Sequence, residues 1–320
     1  MHEDLCCALA QAVSRGHVKH VILQDCNLDI NDMDHSSECY HPYLLFVRKL
    51  LNELATKDVY LDSLTLLDSR PDLVATRLRI PSAEHLAHKL HCKSISLKGA
   101  CCITAIFNLL VGKMCNRDVL EHFSLSSSHH FAIDAIYQCT NIKSLSLSGT
   151  STYFSIDLQS LTKCSALQNL SVLNLAQCIS NPSKVANDGF VDALANIHGL
   201  RELDLSGNRL NMCACVFLDN MVNANGRNKT TVRVLNLAQN NIHVDAIIET
   251  LNRCLSRTNG RPVFDTLGLG EIVCSSMFIA RTKQAELKRK LERFTRDYEL
   301  TFIVESSFFH AAMSDFVAMM

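Results

Sequence analysis

The sequence predicts an α/β fold in which one strand–turn–helix unit repeats along the chain. Residues 200–211 read LRELDLSGNRLN, with leucines at four fixed positions and an asparagine at 208. Pairs of apolar residues like Leu203 and Leu205 recur along the chain, in most cases about thirty residues apart. The segments between the pairs carry apolar residues at helical spacing. Together these three observations favour a repeat fold over a single α/β domain.

Each part of the motif has a physical reason. The leucine pair alternates with Glu202 and Asp204, and a period of two predicts a strand with one buried and one exposed face. Asn208 suits the sharp turn that follows, because its amide can both donate to and accept from backbone groups that the strand ladder leaves over. One unit buries too little to be stable alone, so neighbouring units must stack and share a core.

The predicted strands share a pair of apolar residues, two positions apart, that faces the core. The pairs are Val21 and Leu23, Leu64 and Leu66, Ile95 and Leu97, Phe123 and Leu125, Leu145 and Leu147, Leu173 and Leu175, Leu203 and Leu205, Leu235 and Leu237, Leu267 and Leu269, and, as the weakest match, Leu300 and Phe302. A period near thirty residues leaves room for a full helix between successive strands.

The N-terminal part predicts two helices before the regular repeats. Residues 1–17 are expected to form a cap helix over the open end of the stack, with an apolar face made of Leu5, Ala8, Leu9 and Ala12. Residues 29–60 form an enlarged first repeat, with an acidic loop at 29–41 and a helix from Pro42 to Leu54. Such a loop is often where binding is elaborated, and a tolerated surface insertion is the alternative.

Helices are also expected between the later strands. One covers residues 81–90. A second has Asp188 as a possible N-cap and an apolar stripe made of Phe190, Val191, Leu194 and Ile197. A third has a stripe made of Val244, Ile247, Ile248, Leu251 and Leu255.

Residues 275–320 combine a basic end helix, the last strand and an apolar capping tail. The helix spans 281–296, with an apolar stripe made of Leu287, Leu291 and Phe294. Lys288, Arg289 and Arg293 are candidates for contact with an acidic protein surface or an anionic membrane. The alternative is the solvated outer face of an end helix. The tail carries Phe308, Phe309, Met313, Phe316 and Met320.

These ten units resemble the ribonuclease-inhibitor-like class of leucine-rich repeat proteins, and the resemblance covers residues 1–320 as one domain. It implies a horseshoe-shaped solenoid with parallel strands on the concave face and helices on the convex face. It also implies a function in binding other proteins. The chain departs from the pattern at the asparagine position of the turn, where several repeats carry other residues: Cys26, Ser69, Ala100, Ser128, Thr150 and Cys178.

The resemblance implies that residues beside the leucine pairs line the concave face. Serines dominate in the middle repeats, and the later repeats place Asn174, Glu202, Asp204, Ser206 and Asn236 there. We predict that these later residues contact a protein partner, whose identity the sequence does not specify. A solvated face without a dedicated partner is the alternative, because the face offers almost none of the aromatic or arginine anchors of tight interfaces.

Composition argues against several classes of protein. A net charge of −1 gives nucleic acid no electrostatic reason to bind. No stretch is long and apolar enough to span a bilayer, and no secretory signal is recognised at the N-terminus. The fifteen cysteines include no C-x-x-C pair, so we interpret them as reduced, buried thiols of a cytoplasmic protein. Association with the cytoskeleton or a larger complex is compatible with this interpretation.

No catalytic, cofactor or metal site is expected. The best candidates for metal ligands are His85, His88, His91 and Cys92, and their spacing is weak evidence. The predicted function is therefore a non-catalytic protein–protein interaction module or scaffold subunit. Two alternatives are an activator of a small GTPase and the substrate-receptor subunit of a ubiquitin ligase, with residues 42–54 as the place for an F-box-like segment.

Overall fold

A computed structural model of the chain describes residues 2–24, 47, 50–51, 53–54, 59–67, 90–99, 110, 117–126, 136, 138–149, 165–179, 181–226, 231–259, 261–274 and 277–304. The chain divides into two compact units, Met1–Ser180 (unit 1) and Asn181–Met320 (unit 2). Among the described helices, none combines the length and apolar character needed to cross a membrane.

Within its described residues, unit 1 has a helix at its N-terminus and six parallel strands that pair in chain order. Its elements are α1 (His2–Ser14), β1 (His20–Gln24), β2 (Val59–Leu67), β3 (Leu90–Lys98), β4 (His122–Ser126), β5 (Ser144–Ser146), a 3-10 helix (Ser165–Asn169) and β6 (Val172–Asn174).

Unit 2 alternates parallel strands with longer helices. Its elements are α2 (Ser183–Ala186), α3 (Asp188–Ala195), β7 (Glu202–Asp204), α4 (Met212–Gly226), β8 (Val234–Asn236), β9 (Ile242–His243), α5 (Val244–Thr258), β10 (Phe264–Cys274), α6 (Met277–Phe294) and β11 (Thr295–Val304). The strands pair in the order β7, β8, β10, β11, and the short β9 pairs with the second half of β10.

The strand register confirms nine of the ten predicted apolar pairs. In unit 1 the first members of the pairs are register partners from Val21 to Leu173. In unit 2 the same holds for Leu203, Leu235 and Leu267. All of these side chains are buried, so each pair contributes to an apolar core on one side of its unit's strands.

The position of the last predicted pair is wrong by two residues. Leu267 lies opposite Tyr298, and Leu300 lies opposite Gly270. The register shifts between Gly268 and Gly270, where β10 contains one extra residue. Gly270 has a φ of +53°, which a glycine adopts without the cost that a Cβ brings. Because β11 alternates with a period of two, a shift of two residues preserves the same apolar pattern.

The buried face of α1 differs from the predicted one. Leu5 is 56% exposed and Ala8 is exposed, whereas Ala10 and Val13 are buried. The buried residues lie in the C-terminal half of the helix, which packs against β2. Leu5 is one helical turn or more away from that contact, so its apolar character did not predict burial.

The helix predicted at 42–54 is confirmed at the positions that are described. Val47, Leu50, Leu51 and Leu54 are helical and fully buried. Leu50 adds to the buried face of this helix. Residues 42–46 and the loop at 29–41 lie outside the described residues. The helix predicted at 81–90 is wrong at its end, because Leu90 is the first residue of β3; residues 81–89 are not among the described ones.

The helices of unit 2 confirm the predicted apolar stripes and correct one cap. Every stripe residue of α3 and α5 is buried, as are Ile197 just beyond α3 and the three stripe residues of α6. Asn187, not Asp188, caps α3: its Oδ1 accepts a hydrogen bond from the Gly189 N–H at 3.0 Å. Asp188 is already helical. α6 ends at Phe294, so Arg296 belongs to β11, and the tail at 305–320 lies outside the described residues.

Candidate protein-binding surface

Buried asparagines in unit 2 fix the turns that follow the strands. Asn240 Nδ2 donates to the carbonyl oxygens of Leu205 and Leu237, both at 2.9 Å. Its Oδ1 accepts from the N–H groups of Asn208 at 3.0 Å and Leu210 at 3.2 Å. The amide therefore ties one turn to the preceding turn and strand, in the donating and accepting role that the motif predicts.

Cys178 fills the equivalent position in unit 1. Its thiol donates to the carbonyl oxygens of Leu147 and Ala176 and is buried. The bond to Leu147 corresponds to the bond from Asn240 to Leu205. A thiol is a weaker donor than an amide and a weak acceptor, so cysteine supplies only part of what asparagine supplies. The other predicted position of this kind, Cys26, lies outside the described residues.

The turns hold a group of polar side chains on the exposed side of the strands of unit 2. Glu202 is exposed, and Asp204 is partly exposed and accepts from the Ser206 N–H at 2.8 Å through Oδ1. Asn236 makes the same bond to the Ala238 N–H at 3.0 Å. The structure therefore brings four predicted site residues together: Glu202, Asp204, Ser206 and Asn236. Asn174 makes the corresponding bond to Ala176 in unit 1, at 2.9 Å.

Two further carboxylates border this group, and the sequence analysis missed them. Glu202 is in register with Val234, Thr266 and Asp297 across β7, β8, β10 and β11. Asp204 is in register with Asn236, Gly268 and Glu299 across the same strands. Three strand steps of about 4.8 Å place the two carboxylate pairs about 14 Å apart. We call these eight residues the acidic sheet face.

Gly268 has no side chain that could project from the middle of the acidic sheet face. A Cβ there would lie 2.6 Å from Oδ1 of Asn236, closer than such atoms approach in real structures. The residues between the two carboxylate pairs, Val234, Thr266, Asn236 and Gly268, therefore have small or short side chains. Asp297 and Glu299 pair before the bulge, and the sequence did not place them because the predicted register put Leu300 opposite Leu267, where the structure has Tyr298.

A row of alternating charges crosses unit 1, with Asp62 in β2, Lys93 in β3, and Glu121 and Lys143 directly before β4 and β5. Lys93 bonds to Asp62 at 3.2 Å, and Lys143 bonds to Glu121 at 3.0 Å. Backbone bonds place these residues side by side, since the Glu121 N–H donates to Lys93 and the Lys143 N–H donates to Glu121. The lysine beside each carboxylate holds the pKa of Asp62 and the pKa of Glu121 below their ordinary values. Period-two patterns within one strand do not reveal such a row.

This row predicts an acid-sensitive contribution to stability. Because the folded pKa of Glu121 lies below the ordinary value of 4.5, the contribution is present above that pH and is lost as the pH falls further. We expect Glu121→Gln to make the fall of Tm between pH 5 and pH 2 shallower. Lys143→Gln, which removes the cation and keeps the carboxylate, is expected to act in the same direction. An unchanged pH dependence in both variants, measured by thermal denaturation, would contradict the assignment.

The basic residues of α6 separate into two groups. Lys283 lies 3.3 Å from Asp245, and Lys290 lies 3.6 Å from Glu286, so both are engaged on the helical surface. Lys288, Arg289 and Arg293 are exposed and make no ion pair with any carboxylate in the described residues. They lie on α6, which packs on the buried side of β10 and β11. They therefore do not join the acidic sheet face.

The described members of the best candidate metal cluster, at which no metal site was expected, do not converge. His91 stacks on Tyr60 with ring centroids 4.2 Å apart and planes 6° apart. Cys92, the next residue of β3, is buried on the other side of the strand, and its burial raises the pKa of the thiol to about 12. His85 and His88 lie outside the described residues. Within the part of the chain that is described, no three potential ligands form a metal site.

The thiols of the described cysteines differ in accessibility, which predicts a labelling pattern. Burial raises the pKa of Cys92 and the pKa of Cys254 to about 12, and it also raises the pKa of Cys215. Cys7 and Cys213 are partly exposed. Because the thiolate is the reacting form, we expect a maleimide at pH 8 to label Cys7 and Cys213 before the buried three.

Peptide mapping by mass spectrometry measures this pattern, and unfolding in urea is the control in which all five thiols react. Labelling of Cys92 in the folded protein as fast as Cys213 would contradict the structure.

Comparison with known proteins gives no family. No protein-family model matches the chain. A search of curated proteins also finds no significant match. The function is therefore inferred from the geometry and chemistry of this chain.

Proposed function

We propose that this chain is a leucine-rich repeat protein of the ribonuclease-inhibitor-like class, with the horseshoe form that this class implies. It acts as a non-catalytic protein–protein interaction module or as a scaffold subunit of a cytoplasmic assembly. The repeated register of the apolar pairs supports the architecture. So do the buried asparagines, which bond to the turns as the repeat motif requires.

The acidic sheet face is the observation that carries the functional part of the proposal. Two pairs of carboxylates lie on either side of a strip of small or short side chains: Glu202 and Asp204 on one side, and Asp297 and Glu299 on the other. Glu202 and Glu299 are exposed, and carboxylates presented in this way steer a basic surface into place and fix its orientation. A partner helix or loop with lysine or arginine residues about 14 Å apart complements the two borders.

Affinity purification from the native cell tests the proposal. The full chain is compared with the double variant Glu202→Arg, Asp204→Arg, in which the charge of one border is reversed. Because Glu202 is exposed and Asp204 is partly exposed, folding is expected to survive. We expect a stoichiometric protein partner to bind the unchanged chain and to be recovered at least tenfold less well with the variant.

A charge-matched control variant distinguishes this surface from net charge. Glu249→Arg and Glu292→Arg change the charge equally but lie on α5 and α6, where both residues are exposed. We expect this control to retain the partner. If the variant Glu202→Arg, Asp204→Arg retains the partner, the acidic sheet face is excluded as the binding site. Lys288, Arg289 and Arg293, or residues 29–41, would then be tested as the site. Failure to recover any stoichiometric partner would contradict the proposed function itself.

A further inference from the structure

A second exposed surface lies on β1, β2 and β3 of unit 1. Tyr60 is 64% exposed near the start of β2, and Ile22 is 65% exposed in β1. Ile22 is in register with Thr65, which follows Tyr60 by five residues along β2. At about 3.3 Å per residue, the two exposed apolar groups are separated by about 16 Å along the strands.

Tyr60 is held in place by its neighbour. It is in register with His91 of β3, and the two rings stack with centroids 4.2 Å apart and an interplanar angle of 6°. The stack restricts the rotamers of an exposed aromatic side chain before any partner binds. A tyrosine that is already ordered loses little conformational entropy on binding, and tyrosine is among the residues that most often dominate interface energy.

The charged residues around these two apolar groups are mostly cations. Lys19, Lys93 and Lys98 are exposed. Asp62 is the carboxylate described on these strands, and it already bonds to Lys93 at 3.2 Å. With Glu121, which lies beside Lys93, three lysines and two carboxylates give the described residues a net charge of about +1, the opposite sign to the acidic sheet face of unit 2. The other side chains of this surface include Ser63, Ser94 and Ser96, and His20 lies 2.9 Å from the Ser63 hydroxyl through Nδ1.

We propose that this surface binds an acidic segment of a protein partner that carries two large apolar side chains. One apolar side chain packs against the Tyr60–His91 stack and the other against Ile22, while carboxylates of the segment pair with Lys19 and Lys98. The inference deepens the proposed function and rests on it, because it adds a second contact surface with a different preference. The two surfaces then select partner regions of opposite charge.

Selection from a random twelve-residue peptide library displayed on phage tests the inference on the full chain. Recovered peptides are synthesised and their Kd is measured by fluorescence anisotropy. We expect peptides with net negative charge and at least two large apolar residues. Their Kd is expected to rise at least tenfold with Tyr60→Ser and with Lys98→Glu. The double variant Glu249→Arg, Glu292→Arg is the control, and it is expected to leave the Kd unchanged because both residues lie outside the two surfaces.

Each other outcome overturns a specific statement. Recovery of neutral or basic peptides only, or of acidic peptides that bind Tyr60→Ser and Lys98→Glu as well as the unchanged chain, would overturn this inference. Peptides that respond to Glu202→Arg, Asp204→Arg alone would overturn it too while leaving the proposed function intact. Recovery of no binding peptide would overturn this inference, and the affinity purification would then decide the proposed function separately. Thermal denaturation identifies a Tyr60→Ser protein that fails to fold, in which case Lys98→Glu decides.

Discussion

Asn240→Ala is expected to lower the free energy of unfolding by about 3 kcal/mol. The amide is fully buried, and it satisfies the carbonyl oxygens of Leu205 and Leu237 and the N–H groups of Asn208 and Leu210. Alanine leaves these backbone groups buried without that partner, and each such group carries a desolvation penalty. Urea denaturation followed by circular dichroism measures the change.

Two control variants make this result specific. Asn252→Ala removes an exposed asparagine of α5 and is expected to change stability by about 0.5 kcal/mol or less. Asn240→Cys is expected to fall between the unchanged chain and Asn240→Ala, because Cys178 shows that a thiol supplies the donor to the preceding strand. If Asn240→Ala is no more destabilising than Asn252→Ala, the asparagine does not hold the turns together.

Phe217→Ala is expected to cost about 4 kcal/mol of stability. Phe217 of α4 is fully buried, and its ring meets that of Phe190 edge to face, with centroids 5.5 Å apart and planes at 70°. Truncation removes the transfer free energy of the ring and leaves a cavity that a close-packed core only partly fills. The loss appears as a lower midpoint of urea denaturation.

Met212→Ala is the matched control for this prediction because it lies in the same helix and is 59% exposed. We expect it to change stability by about 0.5 kcal/mol or less. A similar small change for Phe217→Ala would mean that α4 does not pack as the structure shows.

Nine of the ten strand positions could be predicted because the period of an apolar pair and the interval between successive pairs agree there. An apolar pair such as Leu235 and Leu237 has the period of a strand, and it recurs at an interval that fits the preceding and following units. Asn208 and Asn240 could be assigned to turns because an amide that both donates and accepts matches what a sharp turn lacks. These assignments depend on residues close together in the chain, and the described strands confirm them.

Features that depend on the register between strands could not be predicted. The extra residue between Gly268 and Gly270 shifts the later part of β11 by one position, and the positive φ of Gly270 that accompanies it leaves no distinct pattern in the sequence. Asp297 and Glu299, which pair before this bulge, were missed because Leu300 was predicted opposite Leu267, where the structure has Tyr298. The Tyr60–His91 stack was missed because β2 and β3 begin two or more residues earlier than the leucine pattern indicates. The buried face of α1 depends on where the helix contacts β2, which spacing alone does not determine.

The exposure of some predicted site residues could be read from the sequence, while their role in binding stays a prediction. Glu202 and Asp204 flank a leucine in the clearest repeat, so period two placed them on the exposed side. The basic residues of α6 were also found as a charge pattern. Their separation from the acidic sheet face follows from the packing of α6 against β10 and β11, a tertiary contact that the spacing of apolar residues only suggests.

Site-specific photocrosslinking in the native cell tests most directly whether a protein binds the acidic sheet face. A benzophenone amino acid is placed at Val234, which lies between Glu202 and Thr266 in the register. The control position is Val216, which is exposed on α4. We predict a discrete covalent adduct with one protein at Val234 and none at Val216. An adduct at Val216 alone, or at neither position, would contradict the proposal that this face holds the partner.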